Sequence, residues 1–119
     1  MKFMLLIYNN PAVIEAMAED EKARIFADVD AIMAELTESG ELVGGEALAQ
    51  QARTVRVREG VPAVTDGPFA EAKEQLAGFL TVDCVDIERA VEIAARWPDA
   101  KLWAMEVRPV MTPDAGAEM

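Results

Sequence analysis

Residues Phe3, Met4, Leu5, Leu6, Ile7 and Tyr8 are consecutive and all apolar or aromatic. Side chains alternate across a strand, so a strand here carries Phe3, Leu5 and Ile7 on one face and Met4, Leu6 and Tyr8 on the other. A strand that is apolar on both faces has to be covered on both. The run therefore predicts a central strand between two layers, and the remaining residues have to supply them.

Downstream, Asn9-Asn10-Pro11 marks a turn, and residues 12–18 are expected to form a short helical turn or two. From about Asp20 to Ser39, Phe26, Val29, Ile32, Met33 and Leu36 recur every three or four residues among charged ones, which predicts an amphipathic helix. Glu19, Asp20 and Glu21 suit its positive amino end, and Gly40 its close. The stretch from Leu42 to Leu48 contains Gly44-Gly45, which reads as a short strand with a bulge or a place of close approach by a backbone or ligand. Residues 54–58 and 61–65 flank Glu59-Gly60 as a β-hairpin, with arginines facing solvent or a neighbouring subunit. A long strand follows from Gln75 to Asp83, with Leu76, Gly78, Leu80 and Val82 on one face. Asp86 is an expected N-cap for a second helix that buries Ile87, Ala90, Val91, Ala94 and Trp97 and ends at Pro98. A last strand, about Leu102 to Val110, places Glu106 and Arg108 mid-strand on one face. The expected organisation is one domain over residues 1–111 and a flexible tail over 112–119.

This order is that of a ferredoxin-like α+β domain, an antiparallel sheet with two helices on one face. The other face, apolar through the amino-terminal strand, is expected to bury itself against a second copy in a two-fold homodimer.

The 52% hydrophobic content is sufficient for a core in 119 residues. With 11 Lys and Arg against 22 Asp and Glu, the net charge of −11 disfavours nucleic acid and anionic membrane surfaces as partners. No apolar stretch approaches the roughly twenty residues of a spanning helix. Asn9-Asn10-Pro11 stands where a secretory signal would have a small-residue cleavage site. One cysteine, Cys84, lies in an apolar run between Asp83 and Asp86, the setting of a buried, unreactive thiol in a reducing, cytoplasmic compartment.

The segment Thr65-Asp66-Gly67-Pro68-Phe69-Ala70-Glu71-Ala72-Lys73-Glu74-Gln75-Leu76-Ala77-Gly78-Phe79 closely resembles the DGPF motif of YCII-related proteins. Leu42-Val43-Gly44-Gly45-Glu46 and Glu106-Val107-Arg108-Pro109-Val110 resemble that family too. The resemblance implies a ferredoxin-like fold paired as a dimeric α+β barrel. Relatives are associated with a His and Asp pair in a cleft, with dehalogenation of a chlorinated aromatic, and with sigma factors. This chain contains no histidine, which departs from the His-dependent pattern.

Without histidine, Ser-His-Asp, Cys-His and the usual zinc sites lack their parts, and no dinucleotide or calcium-loop motif is present. No cofactor or metal is expected. The candidate catalytic residues are Asp66, Lys73, Glu106 and Arg108, joined by Tyr8 and Thr81. Asp66 or Glu106 would serve as general base and Lys73 or Arg108 would stabilise negative charge. Asp66-Gly67-Pro68 is also a plain turn, with Phe69 as a core anchor, and Glu106 and Arg108 are ordinary cross-strand or interface partners. Two functions follow: a non-catalytic small-molecule-binding or regulatory protein, favoured by the absence of histidine, or an isomerase, lyase or dehalogenase using carboxylate and lysine chemistry on a small organic ligand.

Overall fold

A computed structural model of the protein describes residues 1–70 and 72–112. The elements are β1 (Lys2–Asn9), α1 (Pro11–Ala16), α2 (Glu19–Ser39), β2 (Leu42–Ala47), β3 (Arg53–Arg58), β4 (Val61–Asp66), β5 (Gln75–Asp83), α3 (Ile87–Arg96), α4 (Pro98–Leu102) and β6 (Ala104–Pro109). The doubly apolar run becomes β1, an inner strand of a four-stranded sheet in the order β2-β5-β1-β6. Each of its pairings is antiparallel. With β3 and β4 set aside as a separate two-stranded sheet, this is the ferredoxin-like arrangement. The expected tail beyond Thr112 lies outside the described residues.

The core forms where the alternating sets of three strands meet. Phe3 sits opposite Val82 and Pro109, and Leu5 opposite Leu80 and Val107. Phe3, Leu5, Leu80 and Val82 are buried with Ile32 and Leu36 of α2 and Ala90 and Ile93 of α3. α2 ends as its sequence predicts: Gly40 adopts the left-handed conformation and the Glu41 N–H closes onto the Leu36 carbonyl. At α3, the Asp86 carboxylate caps the helix by accepting from the Arg89 N–H at 2.9 Å. Cys84 is buried as expected, donates to the Asp86 carbonyl, and has its thiol pKa raised by burial.

Three details differ from expectation. Pro98 does not simply end α3; it opens α4, where its missing N–H and fixed φ suit a first helical turn. That turn takes up Leu102, so β6 begins only at Ala104. Val91, expected on the buried side of α3, is half exposed, and Ile93 takes its place in the core.

Gly78, on β5, is one of two glycines at which β2 and β5 come close, the other being Gly45 of β2. A Cβ on Gly78 would lie 2.7 Å from the Glu46 carbonyl oxygen and 3.3 Å from the Ala47 Cα, both backbone atoms. Gly78→Ala is expected to push β2 away from β5 and cost about 1–2 kcal/mol, read as a lower midpoint in urea.

Both long helices lie on the Phe3/Leu5 side of the sheet. The opposite side carries Met4, Leu6 and Tyr8 of β1, Phe79 and Thr81 of β5, and Glu106 and Arg108 of β6. Among the described residues no helix or strand is laid across it, and the molecule is only 18 Å thick, the depth of one sheet and one helix layer.

Candidate functional site

The amino-terminal half of α2 stands off the sheet. Ile32 and Leu36 pack into the core and half-buried Ile25 and Val29 continue their stripe, but Phe26, beside Ile25, is 67% exposed. The gap between α2 and the sheet is a cleft of about 440 Å³. Ile25, Phe26, Val29 and Met33 form its helix wall, and the sheet side includes Ile7, Gly45 and Gly78. Its end is polar, formed by Asn9 at the end of β1 and Asp99 in α4, beside Trp97.

Asp99 is the one buried charged residue among the described residues, only 8% exposed. The Asn9 Nδ2 donates to its Oδ2 at 3.2 Å. Burial pushes its carboxyl pKa up, and the Asn9 hydrogen bond opposes that rise only in part. Its position in the first turn of α4 and its tie to Asn9 give it a structural use, holding the end of β1 against α4. It also presents a desolvated carboxyl to an apolar cleft, where it can accept a hydrogen bond or exchange a proton. At the rim, Lys22 pairs with Glu19 at 3.6 Å, and Asp30 and Glu46 add negative charge.

The four sequence-derived candidates take separate places. Asp66 ends β4 and lies 3.7 Å from Arg53, with its side chain 96% exposed. Lys73 is exposed between β4 and β5. Glu106 and Arg108 project from the open face of the sheet, where the Tyr8 hydroxyl donates to Glu106 Oε1 at 3.2 Å. Burial and the Glu106 carboxylate raise the Tyr8 phenol pKa. Among the described residues, no hydrogen bond or ion pair joins Asp66 or Lys73 to Glu106 or Arg108.

The Asp66 turn closes the base of the β3–β4 hairpin. Gly67, at φ 101°, reaches a conformation other residues resist, and its N–H donates to the Ala52 carbonyl at 2.7 Å while its carbonyl accepts from Thr54 Oγ1 at 2.8 Å. Phe69 does not anchor the loop in the core. It is 73% exposed, and Arg56 lies over its ring at 4.8 Å, because the turn sits on the hairpin rather than on the sheet.

Asn9 and Asp99 escaped sequence reasoning because they are 90 positions apart and each sits in a turn-like string. The one usable signal was an acid directly after Trp97-Pro98, among residues that otherwise belong to the core. Among the described residues, no group of three or more Cys, Asp and Glu is placed to hold a metal ion, and no helix is long and apolar enough to cross a membrane.

The sheet order and the two-layer packing place the protein in the ferredoxin-like α+β class. A sequence model of the YCII-related domain matches residues 1–113. An uncharacterised protein of Rhizobium meliloti (strain 1021) is 35% identical over 114 residues, covering 92% of each chain. The chain belongs to the YCII-related family.

Proposed function

We propose that this chain is a small-molecule-binding protein that works as a two-fold homodimer, with one ligand in the cleft beneath α2 of each copy. The observation that carries the reading is the desolvated Asp99 carboxyl at the end of a largely apolar cleft of ligand size. A carboxylate there accepts hydrogen bonds, and with Asp30 and Glu46 also present the cleft disfavours anions. The fitting ligand is neutral or cationic, with an apolar body and a hydroxyl or amine donor. The homodimer is supported by the half-buried Met4, Leu6 and Phe79 on a sheet face that the chain leaves open. Glu106 and Arg108 would then meet the partner rather than a substrate.

Keeping a carboxylate at this depth works against folding. A carboxyl whose folded pKa lies above its unfolded value loses stability as pH rises through that unfolded value, so at neutral pH the charge is destabilising. Asp99→Asn is therefore expected to raise Tm at neutral pH while weakening ligand binding at least tenfold. The test measures thermal shifts with phenol, catechol and benzylamine, set against anisole and toluene, which lack the donor. Equal shifts from donor and non-donor compounds, or unchanged binding in Asp99→Asn, would remove Asp99 from the reading.

A second reading is acid–base catalysis at the same carboxyl, favoured by the direction of its pKa shift. Turnover of a hydroxylated or halogenated aromatic that is lost in Asp99→Asn would establish it. Binding without turnover would leave the protein a binder.

A further inference from the structure

The chain has only three glutamines, Gln50, Gln51 and Gln75. All three line one hollow of about 730 Å³, which lies between the segment after β2, the start of β5 and the Pro68–Phe69 turn. Asn9 lines it too, so four of the five carboxamide side chains meet there, while the fifth, Asn10, caps α1. None of its described lining residues is charged, although 28% of the chain is. The hollow shares only Asn9, Ile14 and Ala77 with the cleft beneath α2.

Backbone hydrogen bonds pin the segment that carries Gln50 and Gln51 at both ends. The Leu48 N–H donates to the Ala77 carbonyl at 2.8 Å, and the Ala52 carbonyl accepts from the Gly67 N–H at 2.7 Å. The second bond gives the Asp66-Gly67-Pro68-Phe69 turn a use beyond closing the hairpin, because it ties the wall of Pro68 and Phe69 to the wall of Gln50 and Gln51. Gln75 is half-buried, and its Nε2 donates to the Ala72 carbonyl at 3.3 Å. Among the described residues, the Gln50 and Gln51 carboxamides bond to no protein group. Leu48, Phe69 and Leu76, each at least 44% exposed, supply apolar surface to the same hollow.

A carboxamide offers a donor and an acceptor side by side and carries no charge. Its complement is a group with the same pair reversed, as when Asn or Gln reads an adenine edge through two hydrogen bonds. A carboxylate or ammonium group would give up hydration there with no opposite charge to offset it. The Phe69 ring and its apolar neighbours suit a flat body. We infer that the hollow is a second binding site, separate from the cleft beneath α2, for an uncharged planar molecule with an amide-type edge: a carboxamide, a lactam or a single nucleobase. The net charge of −11 sets a nucleic acid strand aside as the source of that base.

With only five side-chain amide groups in the chain, proton–nitrogen NMR reads the site directly. Titration of the full chain with benzamide or uracil is expected to shift the side-chain amide signals of Gln50, Gln51 and Gln75 to saturation. Benzoate, which differs from benzamide by its charge, and glucose, which is uncharged but not planar, should leave them in place. Gln51→Met and Gln75→Met keep the length of the side chain and should each weaken benzamide binding at least fivefold. Gln51 bonds to nothing in the fold, so its variant should keep the backbone signals of the buried Leu5 and Leu80 unchanged. Asp99→Asn, which bears on the cleft, should leave the glutamine shifts as they are. If benzoate or glucose acts as strongly as benzamide, the amide-edge ligand is overturned. Glutamine signals that stay still, or binding unaltered in Gln51→Met, overturn the site itself. Shifts that vanish in Asp99→Asn belong to the cleft and overturn the second site while the cleft reading stands.

Discussion

Phe3→Ala is expected to be among the most damaging single changes, lowering the unfolding free energy by about 3–5 kcal/mol. Phe3 is fully buried, lies on the inner strand, and stands between Val82 on one neighbour and Pro109 on the other. Its ring fills the space where three strands and both long helices converge, so none of the surrounding elements can move in without breaking its own pairing. A domain of this size has only some 5–15 kcal/mol in total. Urea denaturation should show a midpoint far below that of wild type with a similar slope. A loss under 1 kcal/mol would mean that the amino end of β1 is not the centre of the core.

The second large effect is expected at Arg89, and it depends on pH. Arg89 Nε and a terminal nitrogen donate to the two oxygens of Glu41 at 2.9 and 2.8 Å, and its other terminal nitrogen lies 2.6 Å from Glu92. The pair clamps the start of α3 to the corner between α2 and β2. Glu41 is only 17% exposed, and Arg89, helped by the Ser39 hydroxyl, lowers its carboxyl pKa from 4.5 to about 2. A depressed acid contributes stability above its unfolded pKa and loses it as pH falls towards the folded one, here between 4.5 and about 2. Arg89→Met, which keeps the apolar stem, should cost about 2 kcal/mol at neutral pH, the partial exposure of the arginine tempering the full linkage value. The gap from wild type should shrink by more than half at the acidic end of that window. A gap of constant size would mean that Arg89 acts by packing alone.

Much of the fold could be read from single residues because their reasons are local. Six apolar positions in a row force a strand inward, Gly40 closes a helix, and Asp86 opens one. The β2 bulge was announced by Gly44-Gly45, and the register does shift between Leu42 and Gly44. What escaped depends on distant groups meeting. Phe26 recurs at helical spacing with Val29 and Met33, yet it is exposed, because the inward stripe of α2 runs through Ile25, Val29, Ile32 and Leu36 and leaves Phe26 at its edge. The motif that identifies the family is a turn at the base of a hairpin, and its Asp66 pairs with a neighbouring arginine. The buried acid of the cleft lies instead in a short helix that Pro98 starts, where the sequence reads as a helix ending.

β1 has a further consequence. Its odd positions Ile7 and Asn9 border the cleft, and its even positions, Leu6 and Tyr8, border the open face. One strand is thus the party wall between the helix-side cleft and the open face of the sheet. Ile7, at the cleft, and Tyr8, bonded to Glu106, are adjacent residues on one backbone, so a displacement of either side chain bears on the other.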